Sequence, residues 1–241
     1  MSKVLDLEVR VPSKLDYIPL DKYQKYMQIV DQADKESDEA NEFLNLKALE
    51  IFCGLKLNET YKLPMSAFSA ILQQLAKCFA EETPLVKRFS IKGSDGAVIE
   101  FGFHTNLKDM TFGEYVDLDN YIGDWKNMHK AMAVLYRPVI GSSKGLYRIE
   151  EYEGSDKYSD LLRYMPTSIA LGALVFFYRL GMKLAKRSLA SSMEGMEVKD
   201  ISRVEKQYLE KNGVGISQFM LWLEVMSQNL TRLPKNQFIN V

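Results

Sequence analysis

The apolar residues of this chain recur at two different spacings, and the change between them constrains the fold class. Between residues 20 and 79, apolar residues stand three or four positions apart, as in an amphipathic helix. Between residues 88 and 104 they alternate with polar residues, as in a strand, and helical spacing returns after Thr111. We therefore predict a mainly α protein with a small antiparallel β-sheet, an α+β fold made of a helical bundle plus a β-hairpin.

Helices are predicted for three segments of the N-terminal third. They cover about residues 20–34, 43–55 and 64–79, with Pro19 and Pro64 before the first and third and Gly54 near the end of the second. The charged segment at residues 34–42, DKESDEANE, is poor in apolar residues. We predict that it is a solvated turn or linker.

The predicted sheet combines a hairpin with the N-terminus. Residues 88–92 and 97–104 form the two arms, and Asp95-Gly96 between them is a typical hairpin turn pair. Residues 5–11 alternate apolar and charged side chains up to Pro12. Because an isolated hairpin is marginal, we expect this N-terminal strand to be the third partner.

Rare residue types crowd into the block from Thr111 to Pro138. Thr111 and Glu114 have the spacing of a capping box, so a helix is predicted to begin there. Gly123 and Asp124 interrupt it, and a second helix is predicted from about Trp125 to Tyr136, ended by Pro138. The block is predicted to be a helical hairpin.

Each helix of this block is predicted to have an inner and an outer face. Aromatic and Met side chains are common where one protein binds another. Acidic residues in the first turns of a helix are stabilised by the positive end of the helix dipole. The inner face, predicted to build the core, contains Tyr115, Leu118, Met128, Met132 and Leu135. The acidic and aromatic outer positions, predicted as partner contacts, are Glu114, Asp117, Asp119, Tyr121 and Trp125.

The C-terminal hundred residues are predicted to be mostly helical. A loop with a short strand, suited to a flexible flap, is expected between residues 139 and 155. We predict two regions: residues 1–139 form an N-terminal helical domain with the small sheet, and residues 140–241 form a C-terminal helical region. The helices predicted in the latter cover about residues 156–163, 167–192, 201–212 and 217–230.

The charge balance gives no general attraction to nucleic acids or anionic membranes. Lys plus Arg number 31 against 32 Asp plus Glu, a net charge of -1. The basic patch at Lys183, Lys186 and Arg187 and the region 163–179 are better explained as solvated helix faces than as a nucleic-acid interface. The apolar segment 169–182 is shorter than the roughly 20 residues that cross a bilayer. We expect neither nucleic acid nor membrane as a partner.

Two further features favour the cytoplasm. The N-terminus lacks the uninterrupted apolar stretch of a secretory signal. Cys53 and Cys78 each lie in an apolar helical face, which favours reduced core thiols over a disulfide framework. We expect the chain to remain where it is made.

No residue pattern predicts catalysis, a cofactor or a metal. His104 and His129 fall on different elements, and the acidic run from Glu114 to Asp124 lacks the Gly and terminal Glu of an EF-hand loop. The sequence contains no G-x-S-x-G nucleophile elbow, and the GSSKG segment at residues 141–145 lacks the spacing of a phosphate-binding loop. We therefore predict no enzyme, no cofactor and no metal site.

Three segments together resemble a known group of proteins. They are VRVPSKLDYIPLDKYQKYM, FLNLKALEIFCGL and MTFGEYVDLDNYIGDWKNMHKAMAVLYRPV, spread over about residues 8–139. The chain resembles tailed-bacteriophage morphogenesis proteins of the tail-assembly-chaperone or baseplate-hub-chaperone type. The resemblance implies a non-enzymatic assembly role in the host cytoplasm, with other tail or head-to-tail proteins as partners. A homo-oligomer stays open as a further partner.

Two alternatives to a tail assembly chaperone stay open. A structural ring or adaptor of the head-to-tail region would assemble from copies of the chain and would remain in the virion. A small cytoplasmic enzyme, using Glu114 or His129, is the alternative from another class. A chaperone needs a mobile segment that binds its client, and the predicted loops at residues 31–42 and 139–155 would suit that role.

Overall fold

A computed structural model describes residues 8–33, 38–93, 96–104 and 110–177, and it confirms the predicted α+β class. A short 3-10 turn, Leu15–Tyr17, comes before the first helix, and a π-helical turn, Leu49–Cys53, extends the second. The helices are α1 (Leu20–Gln32), α2 (Asp38–Ala48), α3 (Leu57–Thr60), α4 (Met65–Phe79), α5 (Phe112–Tyr121), α6 (Met128–Leu135), α7 (Asp156–Leu162) and α8 (residues 167–177). The strands are β1 (Arg88–Lys92), β2 (Val98–Phe103), β3 (Tyr136–Ser143) and β4 (Leu146–Ile149).

The three N-terminal helices are confirmed, and the predicted linker between the first two is partly wrong. Helix α2 begins at Asp38, so residues 38–42 are helical. The Glu and Ala residues of this segment are good helix formers, and its acidic residues lie at the positive end of the helix dipole. Helix α3 has no counterpart among the predicted elements.

A cluster of aromatic rings joins α1 to the elements around it. The Tyr23 ring lies 5.9 Å from the ring of Phe79 in α4 and 5.3 Å from that of Trp125, measured between centroids. The Phe52 ring lies 5.0 Å from the Phe79 ring. Such edge-to-face pairs contribute beyond their buried area, so α1 lies at the centre of the helical core.

The predicted hairpin is confirmed, and among the described residues its third partner is β3. The sheet is antiparallel with the order β1-β2-β3-β4, and Phe103 of β2 pairs with Tyr136 of β3. Residues 8–11 are not in a strand, and residues 5–7 lie outside the described residues. The β-branched and aromatic residues after α6 take the extended conformation at once, so Pro138, predicted as a helix stop, lies within a strand.

The β3–β4 hairpin curls over β2. The register shifts between Val139 and Gly141, which bends β3. The Tyr147 ring then covers Gly102, and its hydroxyl donates to the Phe103 carbonyl at 2.7 Å. The predicted loop at 139–155 therefore contains a second hairpin.

Contacts link the segment after residue 139 to the first helices. The Thr167 hydroxyl donates to the Ile18 carbonyl at 2.8 Å, and Pro19 forms an isolated bridge with Pro166. The boundary predicted between residues 139 and 140 falls inside β3. Most of the predicted C-terminal region, including the later part of 167–192 and the helices at 201–212 and 217–230, lies outside the described residues, so the two-region division stays a prediction.

Within the described ranges, no helix is both long and apolar enough to cross a membrane.

Candidate functional site

Helix α5 begins with the predicted capping box. The backbone amide of Glu114 donates to the Thr111 hydroxyl at 3.3 Å, and the backbone amide of Thr111 donates to Glu114 Oε2 at 2.6 Å. The reciprocal bonds satisfy two amide groups that a helix N-terminus leaves without partners. This part of the predicted block is confirmed.

The Glu114 side chain points inward, so its predicted outward placement is wrong. It is 2% exposed, and its Oε1 lies 2.6 Å from Arg137 Nη2 and 3.4 Å from His104 Nε2. We call these three buried residues the Glu114 cluster. One carboxylate thus caps α5 with one oxygen and joins β3 and the end of β2 with the other. The sequence hides this because Arg137 comes from a strand that was predicted as a helix end.

Opposing effects act on the ionisation of Glu114. Burial raises the pKa of the carboxyl, but the hydrogen bonds with Thr111 and the charges of Arg137 and His104 outweigh burial. The pKa of Glu114 therefore lies below its ordinary value. The side chain is held as a carboxylate whose oxygens are occupied within the protein.

Asp117 lies on the flank of α5, beside the segment that follows β4. Its carboxylate accepts a hydrogen bond from the hydroxyl of Tyr152. The Tyr152 ring in turn lies 5.7 Å from the guanidinium carbon of Arg137. This contact connects the flank of α5 to the Glu114 cluster, with Asp117 half-buried.

Trp125 and Tyr121 also pack inward. Trp125 is buried against Tyr23, so its predicted outer placement is wrong. Tyr121 is half-buried, with Lys130 Nζ 5.5 Å from its ring centroid, and Lys130 pairs with Asp156 at 2.8 Å. The interhelical turn places Trp125 toward α1, a tertiary contact that residue spacing does not reveal.

The outer side of α5 carries a different set of side chains from the predicted one. Positions 115, 116 and 119 share one helical face with position 112 because they follow it by three, four and seven residues. Phe112 is 83% exposed, Tyr115 is 41% exposed, and Val116 and Asp119 are half-buried. We call this set the α5 surface. Tyr115 was predicted inside, so that prediction is wrong, and Asp119 is the candidate partner-contact residue that lies on this face.

Phe112 was missed as a candidate, although the sequence holds a signal for it. It occupies the first position of α5, directly after the cap residue Thr111. It lies opposite the buried Glu114, two residues along the helix. Once Glu114 points inward, helical geometry turns Phe112 to solvent.

His129 lies in the core beneath α7. Gln24 Nε2 is 3.1 Å from His129 Nδ1 and also donates to the carbonyls of Trp125 and Lys126. Nδ1 therefore accepts, and the neutral ring carries its proton on Nε2. Burial, with the nearby charges of Arg163 and Lys130, lowers the pKa of His129 to about 4. Glu114 and His129 are the residues that the alternative enzyme would use. Each is 2% exposed, so neither side chain is open to solvent.

Metal and thiol chemistry gain no geometric support within the described ranges. No group of three or more His, Cys, Asp or Glu side chains there is arranged to hold a metal ion. Cys53 and Cys78 are free thiols, and burial raises the pKa of each to about 11, so both thiols are protonated at neutral pH.

Comparison of the chain with protein-family models, with curated proteins and with solved structures found no match.

Proposed function

We propose that the protein is a non-enzymatic morphogenesis protein of a tailed bacteriophage, acting as a tail or baseplate-hub assembly chaperone in the host cytoplasm. The exposure of Phe112 and Tyr115 on the α5 surface is the observation that carries this proposal. An aromatic side chain left largely in water contributes little to folding, whereas aromatic side chains are enriched in protein interfaces. The resemblance of residues 8–139 to such morphogenesis proteins supplies the biological setting.

The burial of the other polar groups of the block supports a role in contact and not in catalysis. Glu114 is occupied by Arg137 and by the helix cap, and His129 is occupied by Gln24. Neither group faces solvent, so neither is placed to touch a substrate. The partners in this proposal are other tail or head-to-tail proteins.

Deletion and complementation in the phage test the proposal. We expect deletion of the gene to stop tail or baseplate assembly while heads still form. A plasmid copy of the wild-type gene, or of the control variant Tyr61→Ser in the exposed corner after α3, should restore assembly. The Phe112→Ser variant should fold but restore it poorly. Normal virion yield without the gene would contradict the proposal.

Mass spectrometry of purified virions separates the chaperone from the ring or adaptor. A chaperone leaves the assembly, so the chain should be absent or present below one copy per structural position. Many copies per virion, combined with a deletion defect, would instead favour the structural ring. Loss of one metabolic conversion on deletion, with tails intact, would favour the enzyme.

A further inference from the structure

The first half of the α5 surface has an apolar side with free space beside it. Phe112 and Tyr115 are the exposed aromatics there. A Cβ built on Gly113, next to Phe112, would meet no atom within 4 Å. The α5 backbone next to Phe112 is therefore free of close contacts from other described residues.

The second half of α5 carries negative charge that no cation neutralises within the described residues. Asp119 lies on the α5 surface and forms no ion pair there, whereas Asp117, two residues along the helix, lies on the opposite side and accepts from Tyr152. The last turn of a helix lies at the negative end of its dipole, so the Asp119 carboxylate adds to a potential that is already negative. The nearby Lys130 is paired with Asp156.

The surface is held in place before any partner arrives. The Glu114 carboxylate joins α5 to Arg137 in β3 and to the N-terminal cap of α5, both at 2.6 Å. Tyr152 fastens the flank of α5 through Asp117. A fixed surface loses little conformational entropy on binding, which favours a specific partner.

We infer that the α5 surface binds a protein segment that presents Lys or Arg side chains next to large apolar side chains. This inference rests on the proposed function, because it names the chemistry of the partner at the same surface. The apolar side chains of the segment pack on Phe112 and Tyr115, and its cation lies over Asp119. Such a segment would bury the apolar side chains of α5 and neutralise its negative charge in one contact.

A second copy of the chain fits this surface less well. In a two-fold contact the same patch faces itself, so both Asp119 carboxylates enter one interface and the α5 surface supplies no cation to pair with them. Like charges brought together in an interface oppose association. The charge pattern therefore favours a basic segment of another protein.

Two synthetic peptides test the inference against the purified full-length chain. Both are amphipathic peptides of about 18 residues with identical Leu and Phe positions, and the polar face carries Lys in one and Glu in the other. Fluorescence anisotropy at low salt should give about tenfold tighter binding of the Lys peptide, and the difference should shrink at high salt. Asp119→Lys should remove most of the preference, and Phe112→Ser should weaken binding of the Lys peptide.

Matched variants control for general charge and exposure. Glu39→Lys makes the same charge change on the exposed side of α2, and Tyr61→Ser removes another exposed aromatic. Both should leave binding unchanged, and thermal unfolding should verify that every variant folds. Equal affinity for the two peptides, or a preference that survives Asp119→Lys, would overturn the inference.

The outcomes separate this inference from the proposed function. If Phe112→Ser blocks virion assembly while the peptides bind equally, the assembly role stands and the basic partner is wrong. If light scattering finds self-association that Phe112→Ser abolishes, a second copy occupies the surface and the inference is overturned.

Discussion

Arg137 Nη2 lies 2.6 Å from Glu114 Oε1, and both side chains are buried. The pair joins the start of α5 to β3, two elements separated by α6 along the chain. The other carboxylate oxygen of Glu114 caps α5, so one side chain completes both a local motif and a tertiary contact. Loss of either charge therefore affects both the helix start and the sheet.

Removing one member of this pair should destabilise the protein strongly. Arg137→Leu leaves the buried Glu114 carboxylate without its nearest cation, with an expected loss of about 3–5 kcal/mol in the free energy of unfolding. Glu114→Gln leaves the arginine uncompensated but keeps an oxygen for the cap. The double variant should lose less than the sum of the two, measured by urea unfolding in a double-mutant cycle. Additive losses would mean that the pair is not coupled.

The protein should become less stable as the pH is lowered, because His129 is protonated more readily in the unfolded state than in the folded state. The folded-state pKa is lowered from 6.5 to about 4, so the unfolded state binds the proton first. The contribution is fully present above pH 6.5 and is lost as the pH falls toward 4. Over that range we expect a loss of about 1–3 kcal/mol, because burial, with the charges of Arg163 and Lys130, disfavours the protonated ring.

A His129→Asn variant isolates this effect. Urea unfolding of the variant should give a lower stability at pH 7 but a flatter pH dependence between 6.5 and 4 than the wild type. A curve that parallels the wild-type curve throughout would assign the pH dependence to other groups.

The sequence predicted well those features that depend on neighbours along the chain. The Thr111 capping box and the β1–β2 hairpin involve residues a few positions apart, and both are confirmed. The inward turn of Glu114 could not be predicted in this way, because it depends on Arg137 in a strand that pairs with β2. The outward placement of Phe112 follows from that turn, so Phe112 and Tyr115 lie on the exposed face of α5 and Asp119 is the predicted outer residue that lies beside them.

The close cover of Gly102 by Tyr147 predicts a second strong coupling. A Cβ at position 102 would lie 2.5 Å from the Tyr147 ring and 3.0 Å from an Ile149 methyl group. Gly102→Ala should therefore cost about 1–3 kcal/mol in the free energy of unfolding. In a Tyr147→Ala background the same change should cost much less, since only the Ile149 contact remains. An equal cost in both backgrounds would place the strain elsewhere.

Helix α8 approaches the backbone before β1 so closely that Gly172 has room for no side chain. A Cβ there would lie 2.3 Å from the Pro84 carbonyl oxygen and 3.3 Å from that of Thr83. These are main-chain atoms, so the clash can be relieved only by moving α8 or the segment before β1. Gly172→Ala should destabilise the protein by about 1–3 kcal/mol, although Ala is the better helix former.

The matched control for this substitution is Gly113→Ala in α5, where an added Cβ meets open space. That change should be neutral or should stabilise the protein by up to about 1 kcal/mol, because it lowers the conformational freedom of the unfolded chain without a clash. Thermal unfolding of the two variants side by side measures the difference. If both substitutions raise the melting temperature, α8 does not pack against Pro84 as closely as 2.3 Å implies.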